Sequence, residues 1–213
     1  MLDRATLARR IQSKIDAILV VLIIRFLPRG LKPNHLTALR LVLVVPLVVL
    51  LALGSFWQSL VLFLFLSLLD LVDGAMARTR DERSDLGKVL DPIADKVLIG
   101  ATLLLIDPTR VGWAIIIAML SVEALIIVGG LVAKLMGSKT EANIYGKIKM
   151  NLQVLGIVLL IVGMNPALPG LIDASRFVFY LALFFAILSV AASKSYFKHV
   201  GRPLALFRKR VSG

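Results

Sequence analysis

The sequence predicts an all-α integral membrane fold: six transmembrane helices preceded by an N-terminal amphipathic helix lying at the interface. Three observations predict it. Hydrophobic residues fill 59% of 213 positions, well above the apolar share of a soluble domain. They gather into runs of about twenty residues, the length that crosses a hydrocarbon core. The charges collect between those runs: 23 of the 25 Lys and Arg fall in residues 1–40, 78–96, 134–149 and 194–210.

In chain order, residues 3–27 set Arg4, Arg9, Arg10 and Lys14 on one face and Leu, Ile and Val on the other, an interfacial pattern. No small-residue cleavage site follows, so this stretch is not read as a cleavable signal. Pro28 and Pro33 break it. Spans are expected at roughly 36–54, 57–78, 88–107, 111–134, 147–164 and 174–194. A basic tail follows, with Phe197, Leu204, Leu206 and Phe207 able to dip into lipid. The domain reading is a helix and linker over 1–33, a six-helix membrane domain over 34–196 and a cytoplasmic tail over 197–213. An even number of spans with positive charge on one side puts both termini in the cytoplasm.

The net charge of +12 could suggest nucleic acid. Its distribution favours an anionic bilayer surface and phosphorylated substrates instead, so no nucleic-acid partner is expected. Cysteine is absent, which excludes disulfides and thiolate metal sites.

The chemistry concentrates in Asp70-Leu-Val-Asp73-Gly74-Ala-Met-Ala77-Arg78 and Gly87-Lys-Val-Leu-Asp91-Pro-Ile-Ala-Asp95. An ionised carboxylate at membrane depth costs roughly 3 kcal/mol unless it is paired or binds a cation. Asp70 and Asp73 are three apart and Asp91 and Asp95 four apart, so each pair lies on one helix face. Two such faces meeting make an oxygen-rich pocket for hard divalent cations. Oxygens splayed apart, turned to lipid or tied up with arginines would remove that pocket. Gly74, Ala77 and Gly87 keep these faces narrow, and Arg78 offers a fork suited to a phosphate. From the residues alone, metal-assisted catalysis, a cation-coupled transport pathway and structural ion pairing stay open. Arg78, Arg80, Arg83 and Lys88 are also the charges that a cytoplasmic face collects.

The pattern D-x2-D-G-x2-A-R-x8-G-x3-D-x3-D resembles the signature of the CDP-alcohol phosphotransferases without departure from Asp70 to Asp95. Eight fixed residues match by chance with a probability of order 10⁻¹⁰ per starting position at average composition. The resemblance covers essentially the whole chain. It implies that Asp70 and Asp91 each touch two Mg²⁺ or Mn²⁺ ions, with Asp73 on one and Asp95 on the other. Asp95 would also be the base for the acceptor hydroxyl. Gly74, Arg78 and Ser84 match positions that hold the CDP moiety, and Asn34-His-Leu-Thr37 matches a segment lining the CDP-lipid site; Ala77 and Gly87 join that set. The implied reaction passes a phosphatidyl group from CDP-diacylglycerol to an alcohol and releases CMP, in a homodimer of a bacterial inner membrane.

For the acceptor, Gly146-Lys147-Ile-Lys149 and Leu90-Asp-Pro-Ile-Ala-Asp-Lys96 resemble the bacterial phosphatidylglycerophosphate synthases, which implies glycerol 3-phosphate. Lys139, Lys147 and Lys149 are the candidates for its phosphate, with Lys134 in the same cluster. The chain departs from those synthases at Val122-Glu123 and Gly129-Gly130, where they carry Arg-Glu and a further Arg. Phosphatidylglycerol, as in a cardiolipin synthase, and inositol phosphate are the alternative acceptors. Glu123 is expected to pair with Arg40 or Lys96 or to serve as a protonated structural group.

Overall fold

The computed structural model describes residues 13–14, 16–28, 30–82, 87–106, 108–135 and 144–192, with backbone alone at 88, 89, 108 and 131–135. It is helical throughout the described residues and divides into two compact units, 1–102 and 103–213. The long helices are α1 (Pro33–Ala52), α2 (Phe56–Thr79), α3 (Gly87–Leu105), α5 (Trp113–Leu135), α6 (Ile144–Gly163) and α7 (Gly170–Ala192), with the short α4 (Pro108–Val111) before α5. All but α3 and α4 are long and apolar enough to cross a membrane, five in all. The third, 19 residues long, carries Lys88, Asp91, Asp95 and Lys96, and that charge sets it apart from the other five. The tail 197–213, Ser84 and Lys139 lie outside the described residues.

In the first unit, Pro33 opens α1 because its fixed φ suits a first helical turn and its missing N–H costs nothing there. Gly54, at φ +69°, closes the turn into α2. That short connection makes α1 and α2 antiparallel neighbours. The buried stripe on α1 runs through Arg40, Val44, Leu47 and Leu51; the one on α2 runs through Ser59, Phe63, Leu66 and Asp73. Both stripes keep helical spacing and turn from apolar to charged toward Pro33 and Thr79. Ser59, Ser67 and Thr79 return their hydroxyls to the carbonyls four residues back, at 2.9 Å each, so none is left unpaired in an apolar setting.

The N-terminal segment is docked onto this pair. Leu19 and Ile24 join Leu36, Val72, Ala75 and Met76 in one apolar cluster. The helix gives way at Ile23 to a 3₁₀ turn over Ile24–Phe26, several residues before the break expected at Pro28. Asp16 and Leu19 face inward, while Ile18, Val21, Leu22 and Phe26 are the exposed ones, at 57–78% of their surface. Arg80 secures the linker by donating to the carbonyls of Leu31 at 3.0 Å and of Ile24 and Leu27 at 3.4 Å.

In the second unit, α6 and α7 form a close hairpin around Ile157, Leu160, Phe179 and Ala182. A Cβ at Gly156 would come within 2.5 Å of the Phe179 ring, and one at Gly163 within 3.0 Å of the Ile172 backbone nitrogen. Arg176 fastens the start of α7 to the Arg110 carbonyl and to Asp173. Because the Phe179 ring is fully buried, Gly156→Ala is expected to force the hairpin apart at about 1–3 kcal/mol. A thermal midpoint several degrees below that of the parent in matched lipid nanodiscs checks this; an unchanged midpoint would contradict it.

Candidate active site

The four motif aspartates of α2 and α3 gather on two side chains of α1, all within the first unit. Arg40 is fully buried, and its Nη1 donates to Asp70 Oδ1 at 2.5 Å and to Asp95 Oδ1 at 2.6 Å. Its Nη2 lies 3.9 Å from Asp73 Oδ2. The Thr37 hydroxyl, one turn earlier, donates to Asp91 Oδ1 at 2.8 Å with Asp73 Oδ2 at 3.2 Å. Thr37 and Arg40 are three residues apart on one face of α1. That spacing lets a single helix reach both carboxylate pairs.

The electrostatics are unbalanced. When all four are ionised, the carboxylates exceed the Arg40 guanidinium by three negative charges, which further cations would meet. Asp70 and Asp95 keep about a quarter of their side-chain surface accessible, 24% and 23%, while Asp73 is enclosed at 3%. In donor type, charge and convergence the set suits hard divalent cations. In arrangement it differs from the expected cage. Among the described residues no three carboxylate or imidazole groups stand ready to hold a metal, and Arg40 draws Asp70 and Asp95 to itself. The four carboxylates therefore form a nest around the Arg40 guanidinium. Arg40 Nε and Nη2 have no hydrogen-bond acceptor, so the guanidinium is held chiefly by one nitrogen.

Arg78 points elsewhere. Its Nε donates to Asp16 Oδ2 at 2.9 Å and its Nη2 to Asp16 Oδ1 at 2.8 Å, a bidentate fork onto the N-terminal segment. Gly74 lies beneath it, where a Cβ would sit 3.1 Å from Arg78 Nη1. Gly87 is buried at the start of α3, Ala77 is half-buried on α2, and Asn34 is half-buried in the first turn of α1. Neither Asp16 nor the placement of Arg40 came from sequence reasoning. The i,i+3 step from Thr37 to Arg40 was the available signal for Arg40, and for Asp16 an acid among the basic residues of the N-terminal helix.

The second unit holds the other buried charges. Lys149 Nζ donates to Glu123 Oε1 at 2.5 Å, and Gln153 Nε2 donates to the same oxygen at 3.0 Å. Within its own unit Glu123 thus pairs with α6, where the i,i+4 pair Lys149 and Gln153 receives it. Lys149 is buried by this contact, whereas Lys147 is exposed.

Removing Arg40 leaves the buried Asp73 and the partly buried Asp70 and Asp95 without the counter-charge they share. Arg40→Leu is therefore expected to destabilise the protein by about 3–5 kcal/mol, read as a lower thermal midpoint in chelator-treated nanodiscs. A midpoint at or above that of the parent would show that the carboxylates do not depend on the guanidinium.

With this geometry in place, likeness to known proteins becomes informative. The family model described as CDP-alcohol phosphatidyltransferase matches residues 31–188. The chain is 32% identical over 174 residues to the CDP-diacylglycerol–glycerol-3-phosphate 3-phosphatidyltransferase of Rickettsia typhi, covering 78% of this chain and 94% of that one. It is 29% identical over 174 residues to the enzyme of the same name in Bacillus subtilis, covering 74% and 90%. The Aquifex aeolicus enzyme is 37% identical over 119 residues, 54% of this chain and 66% of that one. Among solved structures, Mycobacterium tuberculosis phosphatidylinositol phosphate synthase with CDP-DAG bound aligns at TM-score 0.55 and 19% identity, covering 86% and 94%. The same enzyme in complex with manganese and citrate aligns at TM-score 0.58, 19% identity, covering 86% and 88%. At that identity the likeness carries the fold. On the span and completeness of the family match, the chain belongs to the CDP-alcohol phosphatidyltransferase family.

Proposed function

We propose that this chain is a multi-pass enzyme of phospholipid synthesis that moves a phosphatidyl group from CDP-diacylglycerol to glycerol 3-phosphate. The observation that carries the reading is the nest itself: four motif carboxylates meeting at two side chains of α1 with a deficit of positive charge. The matched relatives' names supply the donor lipid and the acceptor. Asp70, Asp73, Asp91 and Asp95 would hold two divalent cations, Mg²⁺ or Mn²⁺. Bound there, the ions supply the charge that a diphosphate and a departing nucleotide phosphate require.

The chain's own groups do the rest. Asp95 takes the proton of the acceptor hydroxyl as that oxygen bonds to the phosphorus bearing diacylglycerol. The bond from this phosphorus to the CMP oxygen breaks, and CMP leaves with the electron pair. Arg40 keeps the Asp95 carboxylate fixed in orientation. Arg78, over Gly74, takes a phosphate of the nucleotide lipid; family resemblance assigns Asn34, Thr37, Ala77, Ser84 and Gly87 to CDP-lipid binding as well. Lys139 and the exposed Lys147 are offered for the acceptor phosphate, and Lys149 contributes through its pair with Glu123. The domain limits are 1–33, 34–196 and 197–213, with α3 as the sixth span despite its charge. The positive-charge count supports a bacterial inner-membrane protein with both termini and the motif toward the cytoplasm. A homodimer completes the reading by family resemblance.

Purified protein in nanodiscs with CDP-diacylglycerol and Mg²⁺ tests it against glycerol 3-phosphate, phosphatidylglycerol, inositol phosphate, inositol and serine. CMP release with glycerol 3-phosphate, abolished by chelator, is the expected outcome. Asp95→Asn should lower turnover by about 10²–10⁴-fold while CDP-lipid binding persists. Release unaffected by chelator, or full activity of Asp95→Asn, would overturn the mechanism. A preference for another acceptor would reassign the substrate.

A further inference from the structure

Among the described residues of the N-terminal segment Asp16 is turned inward, and it is bound to Arg78 of the signature motif. We infer that Asp16 is a positioning residue for the transfer reaction: its carboxylate fixes the Arg78 guanidinium so that Nη1 lies over Gly74, open to a phosphate oxygen of the nucleotide lipid. The inference rests on the proposed CDP-diacylglycerol reading.

Three observations carry it. The first is the division of donors. A guanidinium has five N–H groups; Asp16 takes one from Nε and one from Nη2. Nη1 has no acceptor among the described residues and lies where a Gly74 Cβ would crowd it at 3.1 Å. Gly74 lies one turn after Asp70 on α2, so Nη1 overlies the helix face that also carries the Asp70 carboxylate. The second is exposure. The Asp16 side chain is 12% accessible and that of Arg78 33%, so the anchor is enclosed while the anchored group still meets ligand. The third is the support behind Asp16. Leu19 and Ile24, on the same segment, pack against Val72, Ala75 and Met76, and Arg80 ties down the linker through three carbonyls.

A long side chain held this way has lost its rotamer freedom before substrate arrives, and that loss then no longer weakens binding. The contribution of Asp16 falls on donor-lipid binding, with the acceptor and the chemical step left alone. A mere staple for the N-terminal segment would act on stability instead.

The test compares the full-length parent with Asp16→Asn, Asp16→Glu, Leu19→Ala, Arg78→Lys and the Asp16→Asn/Arg78→Lys double variant in nanodiscs. CDP-diacylglycerol binding, KM for each substrate, kcat and thermal midpoint are read for each. Asp16→Asn should raise the donor-lipid Kd and KM about tenfold, with kcat and acceptor KM within about twofold, as expected for loss of one charge-assisted fork. Asp16→Glu should recover most of the loss, and the double variant should be no worse than Arg78→Lys alone. Leu19→Ala should lower the thermal midpoint and leave donor KM unchanged. Donor binding by Asp16→Asn equal to the parent, or Leu19→Ala raising donor KM as much as Asp16→Asn, would overturn the positioning role. Failure of the parent itself to bind CDP-diacylglycerol would overturn the functional reading beneath it, a separate and distinguishable result.

Discussion

One buried guanidinium among four carboxylates is the constraint on which the first unit is built. Each aspartate placed in a helix this apolar would cost several kcal/mol alone. Arg40 and Thr37 answer that cost from a single face of α1, bonding Asp70, Asp95, Asp91 and Asp73. The apolar stripes below, Val44 to Leu51 on α1 and Ser59 to Leu66 on α2, hold the two helices in the register that makes those bonds possible. The compensation is incomplete by three charges. Incompleteness is what separates a ligand site from a closed structural ion pair, because the remaining field still attracts cations.

Other cations are spent locally. Arg78 goes to Asp16, Arg80 to three linker carbonyls, Lys149 to Glu123 and Arg176 to Asp173 and the Arg110 carbonyl. A count of positive charge along the chain predicts which side of a bilayer a loop prefers. It does not foretell that a given arginine fastens a segment. In this chain Arg78 and Arg80 bind the N-terminal segment and linker to α2.

The helices were legible because their signal is long and redundant: α1 and α2 lie within three residues of the ends expected, at Pro33–Ala52 and Phe56–Thr79. The carboxylate signature was legible because charge in an apolar helix has few explanations. What escaped was pairing. Glu123 found Lys149 and Gln153 on α6, and Arg40 found the aspartates, because side-chain reach across helices depends on rotation and register that sequence spacing does not state. The inward turn of Asp16 escaped for the same reason. An amphipathic pattern does not state which residue turns toward α2, and here Val21, Leu22 and Phe26 look outward while Asp16 looks in.

The most direct measurement is the stoichiometry of Mn²⁺ bound by the purified protein in nanodiscs, followed through loss of the free-ion electron paramagnetic signal. Two ions per chain, lost in Asp70→Asn and Asp91→Asn and bound more weakly without CDP-diacylglycerol than with it, is the expected result. No binding above that of empty nanodiscs, with or without the nucleotide lipid, would mean that the carboxylate nest serves only to house Arg40.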